Sequence, residues 1–154
     1  MLKFCRNKFV GYEKINDETF LITGILEDNL YAHEVEMHVK LPEFEITSIK
    51  GKMKRFTTPL CPKATDKLEL ALGLKIEPGF SSKIRRMIGR PGCRHYANII
   101  NECCDSLIPA LISLNWREAI EKNPDISKEE FLKILIEKYP QIKNFCKEFN
   151  EFDY

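Results

Sequence analysis

Residues 31–41 read YAHEVEMHVKL, an alternation in which Tyr31, His33 and the apolar side chains occupy every second position. From residue 34 onwards, charged side chains and His38 fill the positions between them. A period of two is typical of a β-strand that buries one face and exposes the other. Pro42 follows directly and ends the pattern, because proline cannot donate to a ladder of hydrogen bonds. The segment therefore predicts a strand in a half-buried antiparallel sheet.

The segments on both sides of this strand also have strand character. Residues 9–12 and 19–27 are rich in β-branched and aromatic side chains, and Asn16-Asp17 between them is a turn signal. Residues 44–50 form a further short apolar segment after Pro42. These segments predict an antiparallel meander with one buried face.

The second half of the chain is predicted to be helical. Apolar residues recur at helical spacing through residues 64–74 and 80–88, and Gly73 and Gly89 fit the ends of these segments. The longest apolar stripe begins near Cys93 and continues to Leu114, with a kink expected at Pro109. The helical pattern then resumes through residues 116–123.

Two signals mark helices near the end of the chain. Ser127 and Glu130 have the spacing of a capping box, in which the hydroxyl accepts from a free amide at the helix start. Pro140 suits the first turn of a last helix. That helix is predicted to place four side chains on one side: Ile142, Phe145, Cys146 and Phe149.

Strands first and helices afterwards indicate the α+β class, with the helices packed on one face of the sheet. The 154 residues, 44% of them hydrophobic, are enough for one ordinary domain with its own core. We predict an α+β core domain over residues 1–114. Residues 115–154 are predicted to be a helical C-terminal extension that packs on the same domain.

Charge and cysteine content narrow the function classes. The 24 basic and 23 acidic side chains leave a net charge of +1, which does not favour a nucleic-acid partner. No segment is long and apolar enough to be a signal peptide or to span a membrane, so we expect a cytoplasmic protein with no membrane partner. The cytoplasm keeps thiols reduced, and the 6 cysteines contain no CxxC pair. We therefore interpret them as free thiols or as ligands.

Cys93 and His95 are the strongest candidates for chemistry. They lie in the stretch RPGCRH at residues 90–95, where the long helix is predicted to begin. Free amides and the helix dipole favour a thiolate at a helix start, and the neighbouring arginines add positive charge. A Cys-x-His pair placed there offers two ligands to one metal ion, although positions two apart on a regular helix diverge.

Three more residues complete the candidate ligand set. Cys61 lies in TTPLCP at residues 57–62, a loop between the last strand and the first helix that two prolines stiffen. His33 and Glu34 are adjacent on the alternating strand, so a regular strand places them on opposite faces. The structural alternatives are a small buried Cys61 that fills a turn and a core-edge His33.

These motifs together resemble an uncharacterised prokaryotic family, domain-of-unknown-function family 2889, over about residues 8–114. The resemblance rests on Ala32-His33-Glu34-Val35-x-Met37, on Pro59-x-Cys61-Pro62 and on Gly92-Cys93-x-His95. Members commonly have His-Asp in place of His33-Glu34. They commonly read Gly-Cys-Thr-His-Leu where residues 92–96 of this chain read Gly-Cys-Arg-His-Tyr. Both departures keep the candidate ligands.

A more distant resemblance is to the NifU-type iron–sulfur cluster scaffold proteins, and it extends to a NifU/SufE-like fold. It implies comparable positions for Glu34, Cys61 and Cys93 around a metal or cluster. This chain has His33 where that family has a cysteine. A site with fewer thiolates would suit zinc or iron.

We therefore hypothesise an accessory or scaffold-like protein that binds zinc, iron or an iron–sulfur cluster. The candidate metal ligands are Cys61, Cys93, His95, His33 and Glu34, and no catalytic residue is assigned. One alternative is an enzyme with Cys93 as nucleophile, which we rank below a non-enzymatic role. The other is a non-catalytic interaction domain, in which aromatic side chains of the helical extension bind a protein partner or a second copy.

Overall fold

A four-stranded antiparallel sheet forms the first part of the chain in the computed structural model, which describes residues 3–144 and Phe149. The strands follow one another in space in the order β1 (Arg6–Asn16), β2 (Thr19–Asp28), β3 (Ala32–Lys40) and β4 (Glu45–Arg55). Within residues 3–144, four α-helices come after the sheet. The predicted α+β class and the antiparallel meander are confirmed.

β3 is the alternating strand, and its burial follows the predicted pattern. His33, Val35, Met37 and Val39 are buried, whereas the intervening side chains are half-buried or exposed. These buried residues are paired with residues of β2 that are also buried. Met37, for example, is paired with Ile22. β4 runs five residues further than the predicted end at Lys50, to Arg55. Its last residues pair with β3 through the backbone, and Met53 is the one apolar side chain among residues 51–55, too few to show an apolar pattern.

The helical half begins with a 3-10 helix at Cys61–Ala71, whereas the apolar spacing predicts a helix over residues 64–74. α1 (Phe80–Ile84) follows and continues into a π-helical turn at Arg85–Gly89, so the predicted end at Gly89 is confirmed. The remaining helices are α2 (Arg94–Asp105), α3 (Leu107–Lys122) and α4 (Lys128–Lys138). A short 3-10 helix occupies Pro140–Asn144, and Phe145 and Cys146 of the predicted last helix lie outside the described residues.

The prediction of one long helix kinked at Pro109 is wrong. α2 ends at Asp105, and α3 begins at Leu107. Pro109 therefore lies in the first turn of α3, where an amide hydrogen is not needed. In a continuous helix the proline would have left the Asp105 carbonyl without its donor, and the break before α3 avoids that loss.

The Ser127 half of the capping box is confirmed at the start of α4. The Ser127 hydroxyl accepts a hydrogen bond of 3.1 Å from the Glu130 amide. Ser127 itself has extended backbone dihedrals, as expected for a residue that precedes the first helical turn.

α2 packs on the buried face of the sheet at Gly24 of β2. A Cβ atom at this position would lie 2.5 Å from Cys103 Sγ and 2.8 Å from Ile99 Cγ1. Both of those side chains belong to α2, so the absence of a side chain at Gly24 permits the close approach of helix and strand. The contact fixes α2 over β2 and β3 and thereby sets the position of its first turn.

The chain divides into two compact units, Met1–Asp105 and Ser106–Tyr154. The sheet, α1 and α2 belong to the first unit. In the second, the ring of Trp116 on α3 packs edge-on against Phe131 on α4, with 5.0 Å between ring centroids. Phe131, Tyr139 and Phe149, three of the aromatic residues considered for a partner surface, are buried. No helix in the described part of the chain is long and apolar enough to cross a membrane.

Candidate metal centre

His33, Cys93 and His95 converge at one point of the first unit. One potential ligand atom from each residue lies within 4.8 Å of the others. Cys93 Sγ is 3.9 Å from His33 Nδ1 and 3.9 Å from His95 Nδ1. A tetrahedral zinc ion, with Zn–S of about 2.3 Å and Zn–N of about 2.0 Å, separates sulfur and nitrogen by about 3.5 Å. The observed spacing is therefore close to that of a metal-ligand set.

Two distant segments supply these side chains. His33 points inward from the beginning of β3, and Cys93 precedes α2 directly. Because Cys93 lies before the regular helix, it is not subject to the divergence that separates positions two apart on a helix. Gly92 makes the turn into α2 possible, since a Cβ atom there would lie 2.8 Å from the Ile88 carbonyl oxygen.

Aromatic rings hold the two imidazoles in place. The Tyr31 ring lies against His95, with 4.1 Å between centroids and an interplanar angle of 37°. Tyr96 covers His33 at a centroid distance of 5.3 Å, and the two imidazoles are 5.2 Å apart. Packing of this kind restricts the rotamers of both histidines, which lowers the entropy lost when they bind a common ion.

Burial sets the protonation of the three groups. It lowers the pKa of His33 to about 4, with a further contribution from the neighbouring His95, and it also lowers the pKa of His95. Both rings are therefore neutral at pH 7 and keep a lone pair for a metal ion. Burial raises the pKa of the Cys93 thiol, which disfavours the free thiolate that a nucleophilic cysteine would need. A bound metal ion would displace the thiol proton.

His33 is buried and presents one ring nitrogen to the Cys93 thiol. Its side chain is only 1% exposed, and Nε2 has no hydrogen-bond partner among the described residues. Its Nδ1 faces the Cys93 thiol. A buried polar atom without a partner costs about 1–3 kcal/mol. Two imidazoles and one thiol form a donor set that fits zinc. Coordination through Nδ1 would keep the ring proton of His33 on Nε2, so the ion would fix the tautomer of this ring without giving Nε2 a partner.

Arg6 touches the site from β1. Its Nη2 donates to His95 Nε2 at 3.4 Å, and the same nitrogen forms an ion pair of 2.6 Å with Asp28 Oδ2. In the neutral ring His95 then carries its proton on Nδ1, the nitrogen that faces Cys93. A metal ion at Nδ1 would move that proton to Nε2. The Nε2–H group and the N–H group of Arg6 would then be two donors that face each other. Metal binding through Nδ1 of His95 therefore costs the hydrogen bond between Arg6 and His95 Nε2, while the ion pair of Arg6 with Asp28 remains.

Asp28 fixes this arrangement from the turn between β2 and β3. Its side chain is fully buried, and Oδ1 accepts the amides of Leu30 and Tyr31 at 2.8 Å each. Burial by itself would raise the pKa of the carboxyl, but these amides and Arg6 outweigh it and lower the pKa to about 2. The same turn places Tyr31 against His95, so Asp28 supports both the position of Arg6 and that of the Tyr31 ring. Sequence reasoning missed these residues, whose only local signal is Asp28-Asn29 as a turn.

Cys61 and Glu34 have different positions relative to the group. Cys61 lines a cavity of about 300 Å³ together with His33, Cys93 and His95, but it is not among the three converging residues. The Thr58 hydroxyl lies 3.4 Å from Cys61 Sγ, and hydrogen bonds from Thr58 lower the pKa of this thiol. Glu34 faces the opposite side of the sheet, where it pairs with Lys54 at 2.7 Å. The structure does not bring Glu34 to the site.

Residues 13–108, more than half of the chain, match the model of a family described as Protein of unknown function (DUF2889). The chain belongs to the DUF2889 family. The matched segment contains the three converging residues together with Cys61 and Glu34, whereas Arg6 precedes it. No curated protein and no solved structure matches the chain. Membership in DUF2889 confirms the predicted family, and the similarity to NifU-type scaffolds stays a prediction.

Proposed function

We propose that this protein binds one transition-metal ion, zinc in the first place, through His33, Cys93 and His95 and acts as a metal-holding accessory protein. The convergence of three ligand atoms within 4.8 Å, from segments far apart in the sequence, carries the proposal. A bound ion supplies positive charge that stabilises a thiolate at Cys93. The neutral imidazoles, held by Tyr31 and Tyr96, provide the two nitrogen donors.

Cys61 is our proposed fourth ligand. It lines the same cavity, and its Thr58 contacts favour the thiolate form. Two sulfurs and two nitrogens form a set that zinc accepts in tetrahedral geometry, and iron is the next choice. The distant resemblance to NifU-type scaffolds suggests an alternative, in which the site holds an iron–sulfur cluster in place of a single ion.

Metal analysis of the purified protein tests the proposal. Protein prepared anaerobically without chelator is expected to hold about one zinc ion per chain, and the metal-free form is expected to bind added Co²⁺ with thiolate-to-metal absorption bands. Iron together with inorganic sulfide would instead support a cluster. A folded protein that carries no metal and takes up neither Zn²⁺ nor Co²⁺ would refute the proposal.

Substitution of Cys61 by serine tests the fourth ligand. Cys61→Ser is expected to weaken zinc affinity about 10- to 100-fold while the three converging residues still bind the ion. Competition with a chromophoric chelator measures the change. Cys5→Ser is the matched control, because Cys5 is an exposed cysteine that does not line the cavity. Equal zinc affinities for Cys61→Ser and Cys5→Ser would exclude Cys61 from the ligand set.

A further inference from the structure

Three arginines gather in a groove beside the metal centre. Arg85, Arg90 and Arg94 line a cavity of about 260 Å³ together with Gly89, Ala97 and Asn98. The π-helical turn Arg85–Gly89 and the loop before α2 bring them together, because Arg85 opens that turn, Arg90 follows it and Arg94 is the first residue of α2. All three side chains are exposed.

The positive charge of this groove is not balanced by an acidic side chain of the described residues. No aspartate or glutamate lines the groove, and within residues 3–144 none forms an ion pair with any of the three arginines. Three guanidinium groups around one space repel one another, and a bound anion would remove that repulsion. The planar fork of arginine matches the oxygens of phosphate, which accept two hydrogen bonds from one side chain.

The groove adjoins the candidate metal centre. Arg94 lines both the groove and the cavity that contains His33, Cys61, Cys93 and His95. No acidic side chain lines that second cavity either. A molecule bound by its anionic group in the groove would therefore extend past Arg94 towards the metal ligands.

We propose that the Arg85–Arg90–Arg94 groove binds the phosphate group of a small ligand whose remaining part occupies the cavity of the metal centre. The phosphate site does not depend on the proposed function, because none of the three metal ligands lines the groove. Only the placement of the remaining part of the ligand in the cavity of the metal centre rests on that function. A small phosphorylated molecule fits better than a nucleic acid, because the positive charge is confined to one groove and the net charge of the chain is only +1.

Calorimetric titration of the metal-free protein with inorganic phosphate, at constant ionic strength, tests the groove. Saturable binding is expected for the unchanged protein. Arg90→Gln is expected to weaken phosphate affinity about tenfold or more, the factor that corresponds to one lost charge-assisted hydrogen bond. Arg86→Gln removes the same charge from an exposed arginine of the same segment that does not line the groove, and a change of less than about twofold is expected.

The same titration with Co²⁺-loaded protein tests the connection to the metal centre. In Cys61→Ser, where Cys93 is the one thiolate ligand and the loaded site keeps a net charge of +1, phosphate affinity is expected to rise about threefold or more when the ion is bound, and phosphate is expected to raise Co²⁺ affinity by the same factor. The unchanged protein has two thiolate ligands that balance the charge of Co²⁺, so its phosphate affinity is expected to change by less than about twofold. In the Cys61→Ser protein, the further change Cys93→Ala should keep the phosphate affinity of the metal-free protein and lose the increase. This variant separates failure of the groove from failure of the proposed metal site.

Three results would overturn the proposal. The first is the absence of saturable phosphate binding in the unchanged protein, and the second is an equal loss of affinity in Arg86→Gln and Arg90→Gln. The third is tight binding of a single-stranded oligonucleotide that depends on the groove arginines without measurable affinity for phosphate, which would indicate a nucleic-acid surface. Circular dichroism of each variant verifies that it is folded.

Discussion

Cys93→Ala is expected to lower the zinc affinity of the protein by more than about 100-fold and to abolish stoichiometric metal content after purification. Cys93 is the member of the group whose sulfur faces both imidazoles, at 3.9 Å from each Nδ1. It also provides negative charge to the site once its proton is displaced. Competition with a chromophoric chelator measures the affinity, and the Co²⁺ charge-transfer bands report directly on the sulfur ligand.

The fold of this variant should survive the substitution. Cys93 is only half-buried, so its truncation is expected to cost about 1 kcal/mol of unfolding free energy. Cys5→Ala makes the same chemical change at an exposed position and should retain the metal. If Cys93→Ala bound zinc as tightly as Cys5→Ala, the assignment of His33, Cys93 and His95 as the metal site would be wrong.

Asp28→Ala is expected to reduce the free energy of unfolding by about 3 kcal/mol. The substitution leaves the amides of Leu30 and Tyr31 without their acceptor and removes the partner of Arg6. Urea denaturation at pH 7 measures the loss. Glu36→Ala is a suitable control, since Glu36 is an exposed acidic residue on β3 and should change stability by less than about 0.5 kcal/mol.

The effect of Asp28 is also expected to depend on pH. The pKa of its carboxyl falls from 3.8 to about 2 in the folded protein, so the stabilisation is fully present above about pH 4 and is lost as the pH falls towards 2. The stability difference between the unchanged protein and Asp28→Asn should therefore shrink between pH 5 and about pH 2. A constant difference over this range would show that the ionised carboxylate is not what stabilises the turn.

The secondary structure could be predicted from the sequence where the spacing of apolar residues is regular. Alternation over residues 31–41 placed β3 correctly, because the two faces of that strand meet different surroundings. The pattern of apolar residues did not predict the break at Ser106, because the apolar stripe continues across it. The break is a feature of the backbone, in which α2 ends at Asp105 and α3 begins at Leu107. Nor did it distinguish the 3-10 helix at Cys61–Ala71 from an α-helix, because both repeat their apolar side chains every three to four residues.

The candidate site was accessible only in part. Cys93 and His95 stand out because they open a helix, and His33 lies on the strand face that points towards that helix. The same alternation predicts that Glu34 faces away, as the structure shows. Arg6 carries no local signal at all: it lies 89 residues from His95, and only the pairing of β1 with β2 brings it to the site. Contacts of this kind depend on tertiary structure.

Because His33 and Cys93 are 60 residues apart, an ion held by both would act as a cross-link between the sheet and the start of α2. In an unfolded chain the closure of so long a loop costs several kcal/mol of entropy, about 4 kcal/mol by the logarithmic rule. Here the packing of α2 against Gly24 has already closed it, so the ion would meet a prepared site and its binding energy would add to the cohesion of β3, β4 and α2. Metal loading would then join these elements into one cooperative unit that resists heat and proteolysis together.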